Sequence, residues 1–252
     1  MTPPAVQASW PTPRPDQEPM RDAMLNRWIF SVQALSRFSP YLPDEDARRI
    51  KLAFEWIEPE MTRVVQKRPK VKEAVCPFVQ PSLEAGLFYF ALAEPNPTLE
   101  PVKAVEMELR HFTPWFATMA PAEGNQKRLR TLVIVFPDAY EPYLHQAIDT
   151  KTSSAKTDLI AQGLMMGEFY QSCPFSATWD PQSFPLRSPV PFYALRTLIE
   201  TDWRFIKAEP EWQALYIRQF GQPNAKISSL GESKCPITRA KRWVKSWLKQ
   251  WF

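Results

Sequence analysis

Four short apolar runs in the middle of the chain predict the strands of a buried sheet. They are Gly86–Ala93, Thr131–Pro137, Leu164–Tyr170 and Pro189–Ile199. Each is a compact series of aliphatic and aromatic residues beside glycine or proline, which is typical of strands. The run TLVIVFP, the second of the four, has no polar position after its first residue, which indicates burial on both faces. We therefore predict a central sheet of about four strands.

Apolar residues that recur every three or four positions predict helices between and around these strands. The predicted helices are Asp22–Phe38, Asp44–Lys67, Thr98–Met119, Glu141–Gln162 with a break near residues 152–154, Pro210–Phe220 and Thr238–Phe252. Pro59 is a predicted kink or stop in the second helix, and Thr98 is the predicted N-cap of the third. This order of elements predicts an α+β or α/β fold with helices covering the central sheet and extra helices at both termini.

Proline accounts for 27 of the 252 residues, about twice the usual share, and its distribution helps to divide the chain. We predict that residues 1–19 form a disordered proline-rich arm and that residues 20–70 form an N-terminal helical segment. Residues 71–225 are the predicted α+β core domain. Residues 226–252 are predicted to be a linker followed by a C-terminal amphipathic helix.

Composition, charge and cysteine spacing narrow the classes of function. Apolar residues make up 44% of the chain, which argues for a packed core and against disorder. The net charge of +4 is spread along the chain except at its end, so we expect no nucleic-acid partner. Cys76, Cys173 and Cys235 are far apart, which argues against a disulfide framework or structural zinc. With no apolar signal segment and no run of about 18 apolar residues, we expect a soluble cytoplasmic protein.

The stretch FPLRSPVPFYALR, residues 184–196, is the strongest candidate for a ligand site. A guanidinium on a core strand must pair with a carboxylate of the protein or face an anionic ligand. Arg187 and Arg196 lie on either side of Ser188 and of a proline-rich segment. Their guanidinium groups would suit the carboxylate or phosphate of a small molecule. We expect Arg187 to face such a bound acidic group and Arg196 to pair with a carboxylate of the protein.

Nearby residues extend this candidate site. The carboxylates considered as partners of Arg196 are Glu168, Glu200 and Asp202. Glu168 is also a candidate pocket residue, because it follows two methionines that could line an adaptable cavity. Trp203 is a further candidate, as an aromatic side chain that could close the pocket. Core packing for the methionines and a helix start for the segment around Trp203 are the competing interpretations.

The sequence contains no recognisable catalytic constellation, so catalytic residues stay unassigned. It has neither a G-x-S-x-G elbow nor an H-E-x-x-H motif. A haem iron needs only one protein ligand, and on that ground His145 and His111 are candidate axial ligands, with Cys76 and Tyr170 in reserve. The alternative is that the histidines are surface or half-buried side chains. Cys76 could also be a thiolate nucleophile, although such a cysteine more often packs as a small apolar residue.

The C-terminal sequence ITRAKRWVKSWLKQWF predicts a strongly amphipathic helix. Trp243, Trp247 and Trp251 are spaced by four and lie beside a row of lysines. Such a helix could rest on an anionic membrane surface, bind the groove of a protein partner, or dock on the protein's own body. These three alternatives stay open.

The segments CPFV, LVIVFP and GLMMGEFY, followed by FPLRSPVPFYALRTLIETDWRFI, carry a resemblance to a known family. Over about residues 75–205 the chain resembles an uncharacterised bacterial domain of unknown function. Members of that family often have histidine where this chain has Tyr170. More distantly, the order of these segments is similar to the YqcI/YcgG family. That likeness implies a haem-dependent enzyme that hydroxylates nitrogen on an amino-acid substrate.

The leading functional hypothesis is therefore a small-molecule-binding protein of specialised metabolism. In the specific form that the distant resemblance implies, it is a haem-dependent oxygenase or N-hydroxylase acting on an amino-acid-like substrate. The alternative hypothesis is a non-catalytic binding or interaction protein, attached to a membrane surface or a protein partner through residues 238–252.

Overall fold

The computed structural model describes residues 20–22, 27–32, 42–68, 70–119, 124–149, 153–177, 179–207 and 209–224. The predicted arm at residues 1–19 and the predicted helix Thr238–Phe252 lie outside these residues. No helix within the described ranges combines the length and the hydropathy that a membrane crossing would need.

Strands and helices alternate along the described chain. The strands are β1 (Met20–Asp22), β2 (Arg27–Ser31), β3 (Val64–Arg68), β4 (Val71–Ala74), β5 (Phe88–Leu92), β6 (Thr131–Val135), β7 (Leu164–Phe169) and β8 (Phe192–Thr197). The α-helices are α1 (Asp44–Thr62), α2 (Val79–Glu84), α3 (Pro101–Thr118), α4 (Gly124–Lys127), α5 (Glu141–Ile148), α6 (Ala155–Ala161), α7 (Trp203–Ile206) and α8 (Pro210–Phe220).

Six of the strands form one mixed sheet in the order β1-β2-β5-β6-β8-β7. Only β5 and β6 run parallel, with Phe90 opposite Val133, and the other neighbouring pairs are antiparallel. Strands β3 and β4 form a separate hairpin. The predicted α+β fold with a helix-covered sheet is confirmed, and the four strands predicted from apolar runs are β5, β6, β7 and β8.

Helices cover both faces of the sheet, which explains why β5 and β6 are apolar at every central position. On one face, α3, α5 and α6 pack against side chains that include Tyr89, Ile134 and Leu195. On the other face, α1 and α2 pack against side chains that include Phe90 and Val133. The sheet is therefore the middle layer of three, and the strands β5 and β6 at its centre carry no charged residues.

The predicted helix Asp22–Phe38 is wrong for the residues that are described. Residues 27–31 form β2, in which Ile29 pairs with Ala91 and Phe30 with Phe90 of β5. Ile29 packs into the core on one face and Phe30 into the core on the other. A strand that is buried on both faces can have apolar residues at any position, so its sequence can also match the spacing of a helix. Pairing with β5 therefore overrides the helical periodicity that this segment shows.

Two helix boundaries also differ from the prediction. The second helix continues past Pro59 but ends at Thr62, and the next residues turn into the β3–β4 hairpin. The N-cap of α3 is Glu100 rather than Thr98, because the Glu100 carboxylate accepts the backbone N–H of Lys103 at 3.1 Å. The predicted break in the helix after β6 is confirmed, since α5 and α6 are separate helices.

Candidate functional site

A cavity of about 440 Å³ lies beside β7, the edge strand of the main sheet. Its walls come from β6, β7 and β8, from α1, from the β3–β4 hairpin, from the loop that joins β7 to β8, and from α7. Residues of α5 and α6, on the opposite face of the sheet, line it too. The cavity therefore reaches around the free edge of β7, and its volume is typical of small-molecule sites.

Small residues leave the sheet surface open where the cavity meets it. Gly167 of β7 lies directly opposite Ala194 of β8, and both line the cavity. A Cβ atom on Gly167 would come within 3.0 Å of the Phe169 ring. That ring stacks on Phe192 with 4.6 Å between the ring centroids. The wall is thus an aromatic surface beside an open groove, and a larger residue at Gly167 would disturb it.

Charged side chains are unexpectedly frequent on this apolar wall. Among the described residues, four cations and two carboxylates line the cavity: Lys67, Lys156, Arg196, Arg204, Glu73 and Glu168. Lys67 of β3 donates a hydrogen bond to the Val75 carbonyl at 3.1 Å and lies 5.1 Å from the centre of the Trp179 ring. The cavity is therefore amphipathic, and its lining carries more cationic than acidic side chains.

Arg196 of β8 forms a two-pronged ion pair with Asp202. The two distances between guanidinium nitrogen and carboxylate oxygen are 2.7 and 2.6 Å. The side chain of Asp202 is only 2% exposed, and it also accepts the N–H of Ile199. Burial opposes the charge on Arg196, but Asp202 more than offsets this, and the pKa of the guanidinium is raised. The prediction that Arg196 pairs with a carboxylate of the protein is confirmed.

Glu168 of β7 forms the second buried pair, with His145 of α5. The imidazole Nδ1 lies 3.1 and 3.2 Å from the two carboxylate oxygens. The Glu168 side chain is 5% exposed, whereas the His145 side chain is 31% exposed and packs edge-on against Phe175. The hydrogen bond to Glu168 raises the pKa of His145, and burial and the charge of Lys156 oppose this only in part. The pair favours an imidazolium beside a carboxylate.

Two further polar groups lie close to this pair, and both favour their neutral forms. Burial raises the pKa of the Cys173 thiol to about 12. Burial and the nearby Glu168 charge raise the pKa of the Tyr170 phenol as well. Neither an anionic thiolate nor an anionic phenolate is favoured here, and neither residue lies on the cavity wall.

The remaining residues predicted from the 184–196 stretch do not line the cavity. Arg187 is exposed, donates to the Cys173 carbonyl at 3.0 Å and lies 3.8 Å above the Phe184 ring. Ser188 is buried, and its hydroxyl accepts the N–H of Val190. These contacts fix the loop as it returns to the end of β7. Binding of an acidic group by Arg187 stays a prediction.

Trp203 and the candidate haem ligands are also spread apart. Trp203 packs on Tyr216 of α8, with 5.1 Å between the ring centroids, and its neighbours Arg204 and Phe205 reach the cavity instead.

The His111 side chain lies on α3, is 43% exposed and is 3.8 Å from Glu108. Of the four candidates, only Cys76 lines the cavity. Within the described ranges, no group of three or more histidine, cysteine or acidic side chains could hold a metal ion.

Three of the four cations that line the cavity were not predicted from the sequence, namely Lys67, Lys156 and Arg204. Lys156 carries a usable signal, because it lies four residues before Ile160 on the apolar stripe of α6, where lysine is unusual. Its side chain is buried. Lys67 and Arg204 carry no such signal, since only the folded chain brings them to the cavity.

Comparison with known proteins gives one match. A family described as "Domain of unknown function (DUF6875)" matches residues 55–229. No curated protein and no solved structure matches the chain. The match agrees with the predicted resemblance to an uncharacterised domain, and nothing in these comparisons supports the more distant resemblance to the YqcI/YcgG family. Every residue that lines the cavity, from Ile57 to Phe205, lies within the matched segment.

Replacing Asp202 by asparagine should strongly destabilise the protein, because it leaves the Arg196 charge in a buried site without its counter-ion. We expect a loss of about 3–5 kcal/mol in the free energy of unfolding, measured by urea denaturation. E45Q is the matched control, since Glu45 pairs with Arg48 at the surface, and it should lower the free energy of unfolding far less than D202N does. Equal effects of the two substitutions would contradict the buried pair.

The stability contributed by the His145–Glu168 pair should fall as the pH rises. The pKa of His145 is raised in the folded protein, so this contribution is complete below about pH 6.5, the ordinary pKa of histidine, and is lost as the pH passes through the higher folded pKa. The measurement is the difference in unfolding free energy between the wild type and H145Q, from pH 5.5 to 9. It should shrink with pH, and E168Q should remove most of the trend. A difference that grows with pH would show that the pair is wrongly described.

Proposed function

The chain belongs to the family described as domain of unknown function DUF6875, and we propose that this domain binds a small amphipathic molecule with an acidic group. The observation that carries the proposal is the cavity beside β7. It combines an aromatic wall with more cations than carboxylates, inside the segment that the family match covers.

The apolar part of the ligand would lie on the aromatic wall. Phe169 and Phe192 stack there, and Trp56 of α1 packs edge-on against both rings. Gly167 and Ala194 leave room above the strands. Burial of apolar surface would supply most of the binding free energy, at about 25 cal/mol per Å².

The acidic group would lie near α7. Arg204 belongs to this helix and lines the cavity two residues after Asp202, the partner of Arg196. Arg204 is the candidate for a direct contact with a carboxylate or sulfonate, because it lines the cavity beside the acidic group's expected position. A guanidinium suits such groups because it can donate two parallel hydrogen bonds.

Haem is a second candidate ligand, and the position of Cys76 favours it. The Cys76 side chain is half-buried and lines the cavity. A haem joins a flat apolar ring to acidic groups, which fits an aromatic wall with cations, and a cysteine thiolate is an established axial ligand. With haem bound, the proposal extends to the oxygenase or N-hydroxylase activity on an amino-acid-like substrate. His145 is less suitable, because it does not line the cavity.

The anionic dye 1-anilinonaphthalene-8-sulfonate should bind in the cavity, and Arg204→Met should weaken its binding about tenfold or more, the value of one hydrogen bond between charged groups. Fluorescence titration measures both dissociation constants. R218M is the matched control, because Arg218 is an exposed arginine of α8 that does not line the cavity. It should leave the affinity within about twofold.

The uncharged analogue N-phenyl-1-naphthylamine separates charge from shape. It should bind the wild type and R204M equally, because it lacks the sulfonate that Arg204 would contact. If neither dye binds, the proposed function is wrong. If R204M weakens both dyes equally, the substitution acts through the shape of the cavity and the assignment of Arg204 fails.

For the haem candidate, protein purified from haem-replete cells should have an intense Soret absorption band. Cys76→Ala should shift or abolish this band, whereas C173A, which removes a cysteine away from the cavity wall, should leave it unchanged. A colourless protein that takes up no added haemin would exclude haem while leaving the binding of other acidic molecules open to the dye measurements.

A further inference from the structure

We infer that the apolar part of the ligand is a flat aromatic ring system, and that Ala194 and Gly167 select it by leaving part of the cavity floor bare. The inference rests on the proposed function, because it concerns the same cavity, and it names the ligand class as an aromatic acid. It assigns the selectivity for shape to two residues of the sheet, whereas the proposed contact with Arg204 concerns the charge of the ligand.

Strand pairing arranges the floor of the cavity in three rows that run across the strands, on one face of the sheet. Residues that pair on neighbouring strands point to the same face, so the register gives the members of each row. On β6, β8 and β7, the first row is Thr131, Arg196 and Met165, the middle row is Val133, Ala194 and Gly167, and the third, on β8 and β7, is Phe192 and Phe169. All of these residues line the cavity.

The middle row is bare over the two strands nearest the edge of the sheet. Val133 has a branched side chain, Ala194 has one methyl group, and Gly167 has no side chain. The floor therefore becomes lower from β6 towards the free edge of β7, between two rows of larger side chains. This slot, the space above Ala194 and Gly167, is one row wide, and a flat group that lies against the sheet fits such a space better than a bulky one.

Helix α1 lies over the same face of the sheet and limits the height of the slot. Ile57 and Met61 of this helix line the cavity, and they belong to the same core cluster as Val133 and Phe192. The sheet and the helix are two packed layers, so the space between them restricts the thickness of a ligand more than its length. An aromatic ring system is the thinnest apolar group for its area, which favours it over a saturated ring.

The third row presents aromatic rings to a group that occupies the slot. Phe169 and Phe192 stack with 4.6 Å between their ring centroids, and a Cβ atom on Gly167 would lie 3.0 Å from the Phe169 ring. The Phe169 ring therefore leans over Gly167 into the middle row. An aromatic ligand can make offset-stacked or edge-to-face contacts with this ring, and such contacts stabilise aromatic pairs beyond the effect of buried area.

The first row closes the other end of the slot, and contacts within the protein fix its position. Asp202 binds the guanidinium group of Arg196, and the guanidinium carbon lies 4.8 Å from the centre of the Phe78 ring. This end of the slot therefore keeps its shape, so that the room above Ala194 and Gly167 is set before a ligand binds.

The test compares two acids that have the same carbon skeleton and charge but differ in flatness. 2-Naphthoic acid is flat and aromatic, and decahydro-2-naphthoic acid is its saturated, puckered counterpart. Each competes with 1-anilinonaphthalene-8-sulfonate for the wild-type protein. If buried area alone decided the affinity, the saturated acid would bind at least as tightly, because its apolar surface is larger. We expect instead that 2-naphthoic acid binds about two- to tenfold more tightly.

Substitutions in the middle row assign this preference to the floor of the cavity. Ala194→Leu should weaken the binding of 2-naphthoic acid about tenfold or more, because the larger side chain fills the slot, and A194V, which adds fewer atoms, should weaken it less. A214L is the matched control, since Ala214 is an exposed residue of α8 that does not line the cavity, and it should leave both affinities unchanged. Thermal unfolding shows whether each variant is folded, and the wild-type comparison of the two acids requires no variant.

The outcomes separate this inference from the proposed function. If both acids bind and R204M weakens them, but the saturated acid binds as tightly as 2-naphthoic acid or more tightly, the inference is overturned and the proposed function stands. Unchanged binding of 2-naphthoic acid to folded A194L also overturns it. If no acid and no dye binds at all, the proposed function and the inference both fall.

Discussion

The edge position of β7 is the constraint on which the candidate site depends. An edge strand has a neighbour on one side only, so its free side must be covered by other parts of the chain or stay exposed. In this protein α1 and the β3–β4 hairpin approach from one face, and α5 and α6 approach from the other. The β7–β8 loop returns to the strand through a hydrogen bond from Tyr170 to the Leu186 carbonyl. The cavity is the space that these pieces leave unfilled.

The same constraint explains where the charges lie. The interior strands β5 and β6 are packed between helices on both faces, and a charge there would be buried without compensation. Around β7 the covering is looser, and two charged side chains are tolerated because each has a partner. Arg196 pairs with Asp202, and Glu168 pairs with His145. Strand alternation places Glu168 and Met165, the neighbour of Arg196, on opposite faces of the sheet. The two pairs therefore bound the cavity from both sides of the edge.

The two pairs lie in different environments. Asp202 satisfies Arg196 with two short hydrogen bonds, so this pair is a structural element that positions α7 and with it Arg204. Among the described residues, Glu168 has one N–H donor, which is shared between its two oxygens, and the side chain of His145 is partly exposed. The first pair leaves little hydrogen-bonding capacity for a ligand. On this ground we base the view that Arg196 supports the site rather than contacting the ligand.

The core strands could be predicted from the sequence, because burial on both faces of the sheet requires continuous apolar runs, and such runs are visible locally. The sequence also indicated the pairing of Arg196, since a charge on a core strand requires a partner. It did not reveal β2, whose apolar residues fit a helix as well as a strand until β5 is present to pair with them. The sequence also did not reveal which charged residues share one cavity, namely Lys67, Lys156, Glu168 and Arg204. Cavities are formed by segments that are distant in sequence, and no local pattern records which polar side chains will meet across them.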